Sequence, residues 1–187
     1  ASHHHTDHLD AATLTPLLTA APEAVLVAPA AHRRLARERA SIPPQRLQAI
    51  DEGETVDVAG FRLRAVPAAH ETLERDAAGR MMHLGYVIEA GPFRIYHAGD
   101  TIPYDGIADH VGPVDVALLP INGRDPTRGV PGNFTAQEAA EVAAALPARI
   151  AVPCHYGTFA FNTADPEPFE TEAAARGVTA KIGRAHV

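Results

Sequence analysis

His3, His4, His5, Asp7 and His8 fall within the first eight residues, a set of imidazole and carboxylate donors of the kind that holds borderline divalent cations. Three consecutive histidines could be the remnant of an expression tag. A tag gives no reason for Thr6-Asp7-His8 to follow. If the segment is the frayed end of a strand, residues two apart share a side, so His3 and His5 can hold one cation while His4 faces away. Where the chain turns toward a helix near Leu9, Asp7 and His8 are redirected and can hold a second. Two cations roughly 3.5–4 Å apart can share a hydroxide, a nucleophile at neutral pH.

Such a site needs more donors, and the chain offers them where strands end. Phe61 to Val66 alternates as a strand does and leads through Pro67-Ala68-Ala69 to His70. Phe93-Arg94-Ile95-Tyr96-His97 leads to Ala98-Gly99-Asp100, and Arg149 to Pro153 leads to Cys154-His155. With these pieces in order, the chain resembles the metallo-β-lactamase superfamily of metal-dependent hydrolases. The resemblance implies an α/β fold, the αββα four-layer sandwich. It implies that His3, His5 and His70 hold one metal, that Asp7, His8 and His155 hold the other, and that Asp100 bridges both. Arg80-Met81-Met82-His83-Leu84-Gly85-Tyr86 and Tyr96 to Thr101 are most similar to the ascorbate-6-phosphate lactonase branch. Pro67-Ala68-Ala69-His70 is also similar to the branch of N-acyl-phosphatidylethanolamine phospholipase D.

Function follows as expectation. The resemblance implies a binuclear hydrolase acting through a metal-bridging hydroxide on a lactone or sugar-phosphate substrate, with Asp7 and His83 as catalytic groups. His83 would contact substrate, donate a proton, or simply sit in the sheet. The alternatives are a phosphodiesterase or phospholipase D-like hydrolase, and a metal-binding module without turnover. Nitrogen and oxygen donors suit zinc, manganese or iron. Asn122, Arg124 and Arg128 lie in a loop between strand and helix where they could bind an anion, or simply be solvated.

Other residues invite plainer readings. His97 is expected to pack behind Asp100. His4, His32, His110 and His186 are expected at the surface, Cys154 as a small buried side chain, and Met81-Met82 as packing. Asp105 has little claim on the site.

Composition sets the frame. The 187 residues, 46% of them hydrophobic, suit a single domain, and the lone Cys154 excludes an internal disulfide. The formal charge of −7 argues against nucleic-acid partners. Two divalent cations against Asp7, Asp100 and a hydroxide would still leave the site about one positive charge, which points to a small anionic, ester or lactone substrate. No apolar run is long enough to span a bilayer and no targeting segment is visible, so a cytoplasmic location is expected. Oligomeric state is left open.

The elements that must position the site alternate. Helices are expected at about Leu9 to Ala20, Ala30 to Ala40, Thr135 to Leu146 and Pro166 to Arg176. The third carries a capping box, Thr135 with Glu138. Strands are expected at Ala24 to Ala28, around the turn Asp51 to Glu54, and at Phe61 to Val66, His83 to Glu89 and Phe93 to His97. Three more follow, at Asp115 to Pro120, Arg149 to Pro153 and Val178 to Ile182. The family pattern places a strand pair ahead of the first histidines, whereas only Ala1 and Ser2 stand there. An absent N-terminal segment is therefore expected. Ile182 to Val187 is also what a common sequencing adapter encodes, so a spurious tail is expected at the other end.

Overall fold

The computed structural model describes residues 1–129 and 132–183. Most of the expected tail, Arg184 to Val187 with His186, lies outside the described residues. Four layers stack in the order helix, sheet, sheet, helix. The outer layer on one side is α1 (Ala11–Ala20) and α2 (Arg33–Ala40), packed on a parallel pair, β1 (Leu26–Pro29) and β2 (Leu47–Ile50). The second sheet has seven strands in chain order, β3 (Thr55–Val58), β4 (Phe61–Pro67), β5 (Leu84–Ala90), β6 (Phe93–His97), β7 (Val116–Pro120), β8 (Ile150–Cys154) and β9 (Thr179–Ala180). Its far face is covered by α3 (Ile107–Val111), α4 (Ala136–Ala145) and α5 (Glu167–Ala175). Ile50, Ala65, Met81, Leu84 and Tyr86 fill the space between the sheets, so Met81 is packing material.

Local chemistry explains the boundaries. Asp10 caps α1 by accepting from Ala12 N and Thr13 N. The helix therefore starts two residues later than its apolar pattern suggests. The capping box of α4 is complete, and α5 stops before Gly177. The short α3, set between Gly106 and Gly112, buries only Ile107 and Val111, too brief a repeat to stand out in sequence. Arg46 reaches across to the end of α1 and donates to Leu18 O, Ala21 O and Ala24 O at 2.8–3.0 Å, which supplies the positive charge that the last turn of α1 lacks.

Strand direction is what positions the site. β3 to β6 alternate antiparallel, and β6 to β9 run parallel. The C-terminal ends of β4, β6 and β8 consequently share one edge, where α/β sheets place ligands. His70, Asp100 and His155 follow those ends. The opening histidines do not form a strand end, as their spacing suggested. They lie in bends and a turn closed by His8 N and Leu9 N donating to His5 O at 3.1 and 2.9 Å.

That turn is fastened to both sheets. Leu84 N donates to Ser2 O at 3.0 Å, Tyr86 Oη donates to Ala1 O at 2.7 Å, and the N-terminal amine donates to Val27 O at 2.7 Å. Gly99 makes the fit possible: its φ is +65°, and a Cβ there would lie 2.8 Å from both Leu84 O and Ser2 Cβ. Gly99→Ala combines left-handed strain with an overpacked contact, and is expected to cost on the order of 3 kcal/mol. Urea unfolding of parent and variant would measure it, and cation retention should fall with it because Ser2 and Asp100 flank the displaced atom.

Candidate metal centre

Two donor clusters meet at the shared sheet edge. His3, His5 and His70 form one, and Asp7, His8, Asp100 and His155 form the other; within each, the donor atoms lie within 4.8 Å of one another. In the first, His3 Nε2 and His5 Nδ1 are 2.9 Å apart. In the second, His155 Nε2 lies 3.4 Å from Asp7 Oδ2 and 3.3 Å from Asp100 Oδ2. Asp100 spans the two: Oδ1 faces His8 Nε2 at 3.2 Å, and Oδ2 faces His70 Nε2 at 3.5 Å.

Their far sides fix the rings. His70 Nδ1 faces Gly132 O at 3.3 Å, which holds the proton on Nδ1 and leaves Nε2 for the site. Ser2 Oγ lies 3.0 Å from His3 Nδ1 and 2.9 Å from His8 Nδ1. A hydroxyl has two lone pairs, so it can accept from both Nδ1–H groups and turn both Nε2 atoms inward. Ser2 thus links the two clusters from behind. Thr101 does similar work beside Asp100, its Oγ1 accepting from Ala69 N at 2.9 Å and so locking the residue before His70. His97 Nδ1 accepts from Gly99 N at 3.0 Å, shaping the turn into Asp100. His155 itself sits at φ +60°, a strained backbone for a side chain with a Cβ.

Charge explains the protonation pattern. Burial opposes ionisation of Asp100, yet the neighbouring His155 and His8 imidazoles outweigh it and hold the carboxyl below the usual carboxylate range. Asp7 is lowered chiefly through its contact with His155. Burial acts against the His155 cation, but Asp100 and Asp7 raise it to about 10. Burial lowers His3 and His70, and it brings His83 down to about 3.

A cleft of about 410 Å³ opens over the clusters, lined by His4, His5, Asp7, His70, Asp100 and His155 together with Thr6, Arg39, Phe159, Phe161 and Asn162. His83 does not line it. That ring is buried behind the first cluster, 5.2 Å from the His3 ring and 5.4 Å from that of His70, with Nδ1 unpartnered. It borders a smaller hollow with Glu71, Thr72 and Glu74.

Other sequence expectations meet different fates. Arg124 is paired with Glu138 and Asn133 O, and Asn122 is buried, bonding Asn162 at 2.8 Å and Asn133 at 2.9 Å. Neither touches the cleft. His32 is buried rather than at the surface, its Nε2 donating to Met82 O at 2.8 Å. His4 does not turn away: its ring is 4.6 Å from that of His5, and it lines the cleft. Cys154 is held as a neutral thiol, its pKa pushed up to about 12 by burial.

Ser2, Thr101, Arg39 and the Phe159–Phe161 pair were not legible as site residues. Arg39 sits in a run of arginines that reads as a solvated helix face, yet its Nη1 donates to His4 O and Leu9 O and pins the histidine turn.

Comparison with known proteins accords with this geometry. Residues 1–156 match the family model described as the beta-lactamase superfamily domain. A UPF0173 protein of Pyrococcus furiosus is 32% identical over 95% of the chain and 73% of that protein. A UPF0173 metal-dependent hydrolase of Thermoplasma acidophilum is 39% identical over 68% of the chain. The chain spans 54% of the length of the latter. Among solved structures, a metallo hydrolase of Ignicoccus hospitalis superposes over the whole chain and 75% of its own with a TM-score of 0.76 at 21% identity. The metallo-beta-lactamase fold protein YhfI of Bacillus subtilis does so over the whole chain and 74% of its own, at 0.72 and 15%. With the αββα layers and the His/Asp clusters at one sheet edge, the chain belongs to the beta-lactamase superfamily, alongside the UPF0173 metal-dependent hydrolases.

Proposed function

We propose that the chain is the core of a binuclear metal-dependent hydrolase, with His3, His5 and His70 holding one divalent cation, Asp7, His8 and His155 the other, and Asp100 touching both. The observation that carries this is the position of Asp100 between the clusters, within 3.2–3.5 Å of His8, His70 and His155. Its buried Oδ1 is faced by His8 Nε2 at 3.2 Å. A buried carboxylate needs charge to replace its lost hydration, and a cation is what the surrounding side chains are suited to hold. The donors are nitrogen and oxygen, a set that fits zinc, manganese or iron.

When bound, two such cations supply Lewis acidity and water ionised near neutral pH. The chain's own groups do the rest. Asp100 and Asp7 bring the negative charge that keeps the cations in a half-buried cleft. Asp7, the more exposed of the two, borders the cleft where a substrate proton would be exchanged. His83 packs against the first cluster, its Nδ1 buried and unpartnered. Arg39 adds a fixed positive charge to the cleft wall, which favours a substrate bearing an anionic group: a lactone or sugar phosphate, or in the second reading a phosphodiester. A panel of lactones against a chromogenic bis-phosphate ester separates these. Turnover should vanish on chelation and return with added metal; bound metal with no turnover on any ester would leave a metal-holding module instead.

The Ser2 link gives a sharper test. Ser2→Ala leaves His3 and His8 without a common acceptor, and cation affinity is expected to fall about 10–100-fold, read by competition with a chromogenic chelator. Unchanged affinity would show that the rings are held by packing alone.

Proton release tests the second cluster. In the metal-free protein His155 stays protonated up to about pH 10, and a cation must displace that proton. Binding at neutral pH is therefore expected to release about one proton through His155, with affinity rising about tenfold per pH unit until that proton is gone. Calorimetry in buffers of different ionisation enthalpy measures the proton, and His155→Ala should abolish both the release and the second cation.

A further inference from the structure

Phe159 and Phe161 are 39% and 61% exposed, with ring centroids 5.7 Å apart. Neither belongs to any of the three buried apolar clusters, so packing among the described residues does not account for them. Both line the metal cleft, and among its described residues they are the only apolar ones. The cleft therefore has one aromatic wall facing a polar floor of imidazoles and carboxylates.

The segment that carries them is braced. Asn162 N donates to Phe159 O at 3.1 Å, and Gly157 N donates to Thr163 Oγ1 at 2.7 Å. Asn162 Oδ1 accepts from Asn122 Nδ2 at 2.8 Å and from Arg128 Nη1 at 3.3 Å, while Arg128 Nη2 donates to Thr163 O at 3.3 Å. Five polar side-chain and backbone bonds thus hold two apolar rings in water beside the reactive centre. Presenting rings this way costs free energy unless something apolar covers them, and a wall continuous with the donor clusters is reached by whatever binds there.

We propose that the Phe159–Phe161 pair is a binding face for an apolar arm of the substrate, so that the cleft takes amphipathic substrates: an anionic or ester head at the metal clusters, and an aryl or alkyl group laid against the rings. The assignment rests on the metallohydrolase reading for the head and on the aromatic wall alone for the arm.

The test uses the full chain loaded with zinc and two probes sharing one head, phenylphosphonate and methylphosphonate. The parent is expected to bind phenylphosphonate at least about tenfold more tightly, the amount that burying about half of a phenyl ring supplies. In the double variant Phe159→Ser with Phe161→Ser, that preference is expected to fall within about twofold, with zinc content and methylphosphonate affinity retained. A preference that survives in the double variant, or none in the parent, overturns the proposal. If neither phosphonate binds the zinc-loaded parent, the reading of the head fails instead. Benzyl alcohol then decides the wall alone: ring-proton saturation transfer in the parent but not in the double variant upholds it, and equal transfer in both overturns it. Should the double variant lose self-association or binding to phosphatidylcholine vesicles while the phenyl preference stays, the rings belong to a surface contact and the proposal falls.

Discussion

The arrangement depends on one shared carboxylate. Asp100 is nearly buried, yet it lies against His8, His70 and His155. A carboxylate taken out of water is tolerated only when charges or donors replace the lost hydration. In the metal-free chain His155 supplies that charge, and the two partners shift each other's protonation in opposite directions. A cation would take over the role. Much of the surrounding geometry serves to keep these groups close without letting any one contact satisfy them all.

The fold meets that demand by sending three strand ends to a common edge and stapling the histidine turn onto it. Thr101 joins Asp100's segment to His70's, Gly99 lets Ser2 approach the backbone, and Ser2 then reaches both His3 and His8. Each of these residues is small. A larger side chain at any of them would push a ligand-bearing segment outward, so the precision of the site rests on what is missing from its supports as much as on the donors themselves.

Legibility in sequence followed how local the information was. His3, His5, Asp7 and His8 are neighbours in the chain, and His70, Asp100 and His155 each follow an alternating or apolar strand pattern. These could be found by pattern; alternation pointed to an α/β layered fold, and the αββα order came from the family resemblance those residues carry. Contacts made across the fold could not. Ser2 has no signature, because its hydroxyl matters only once two rings converge on it. His32 and Arg39 sit in a polar helical stretch that reads as solvated, whereas the packing of α2 on β1 and β2 turns His32 inward and brings Arg39 to the histidine turn. Five residues of α3 between glycines gave too short a period to register.

Asn122, Arg124 and Arg128 show the difference between proximity in sequence to a site and contact with it. Their loop leaves the C-terminal end of β7, the same edge that delivers the site, and its polar character suggested direct anion recognition. Burial decides otherwise: Asn122 is 2% exposed, and its amide is used up by Asn133 and Asn162. A buried amide gains more by satisfying neighbouring polar groups than by waiting for a ligand. Because Asn162 borders the cleft and adjoins Phe161, Asn122 and Arg128 act on the cleft through it, by fixing where the aromatic wall stands. Under the proposed reading, Asn122 and Arg128 would shape substrate fit through the hydrogen bonds that hold this neighbouring segment rather than by charge offered to the substrate.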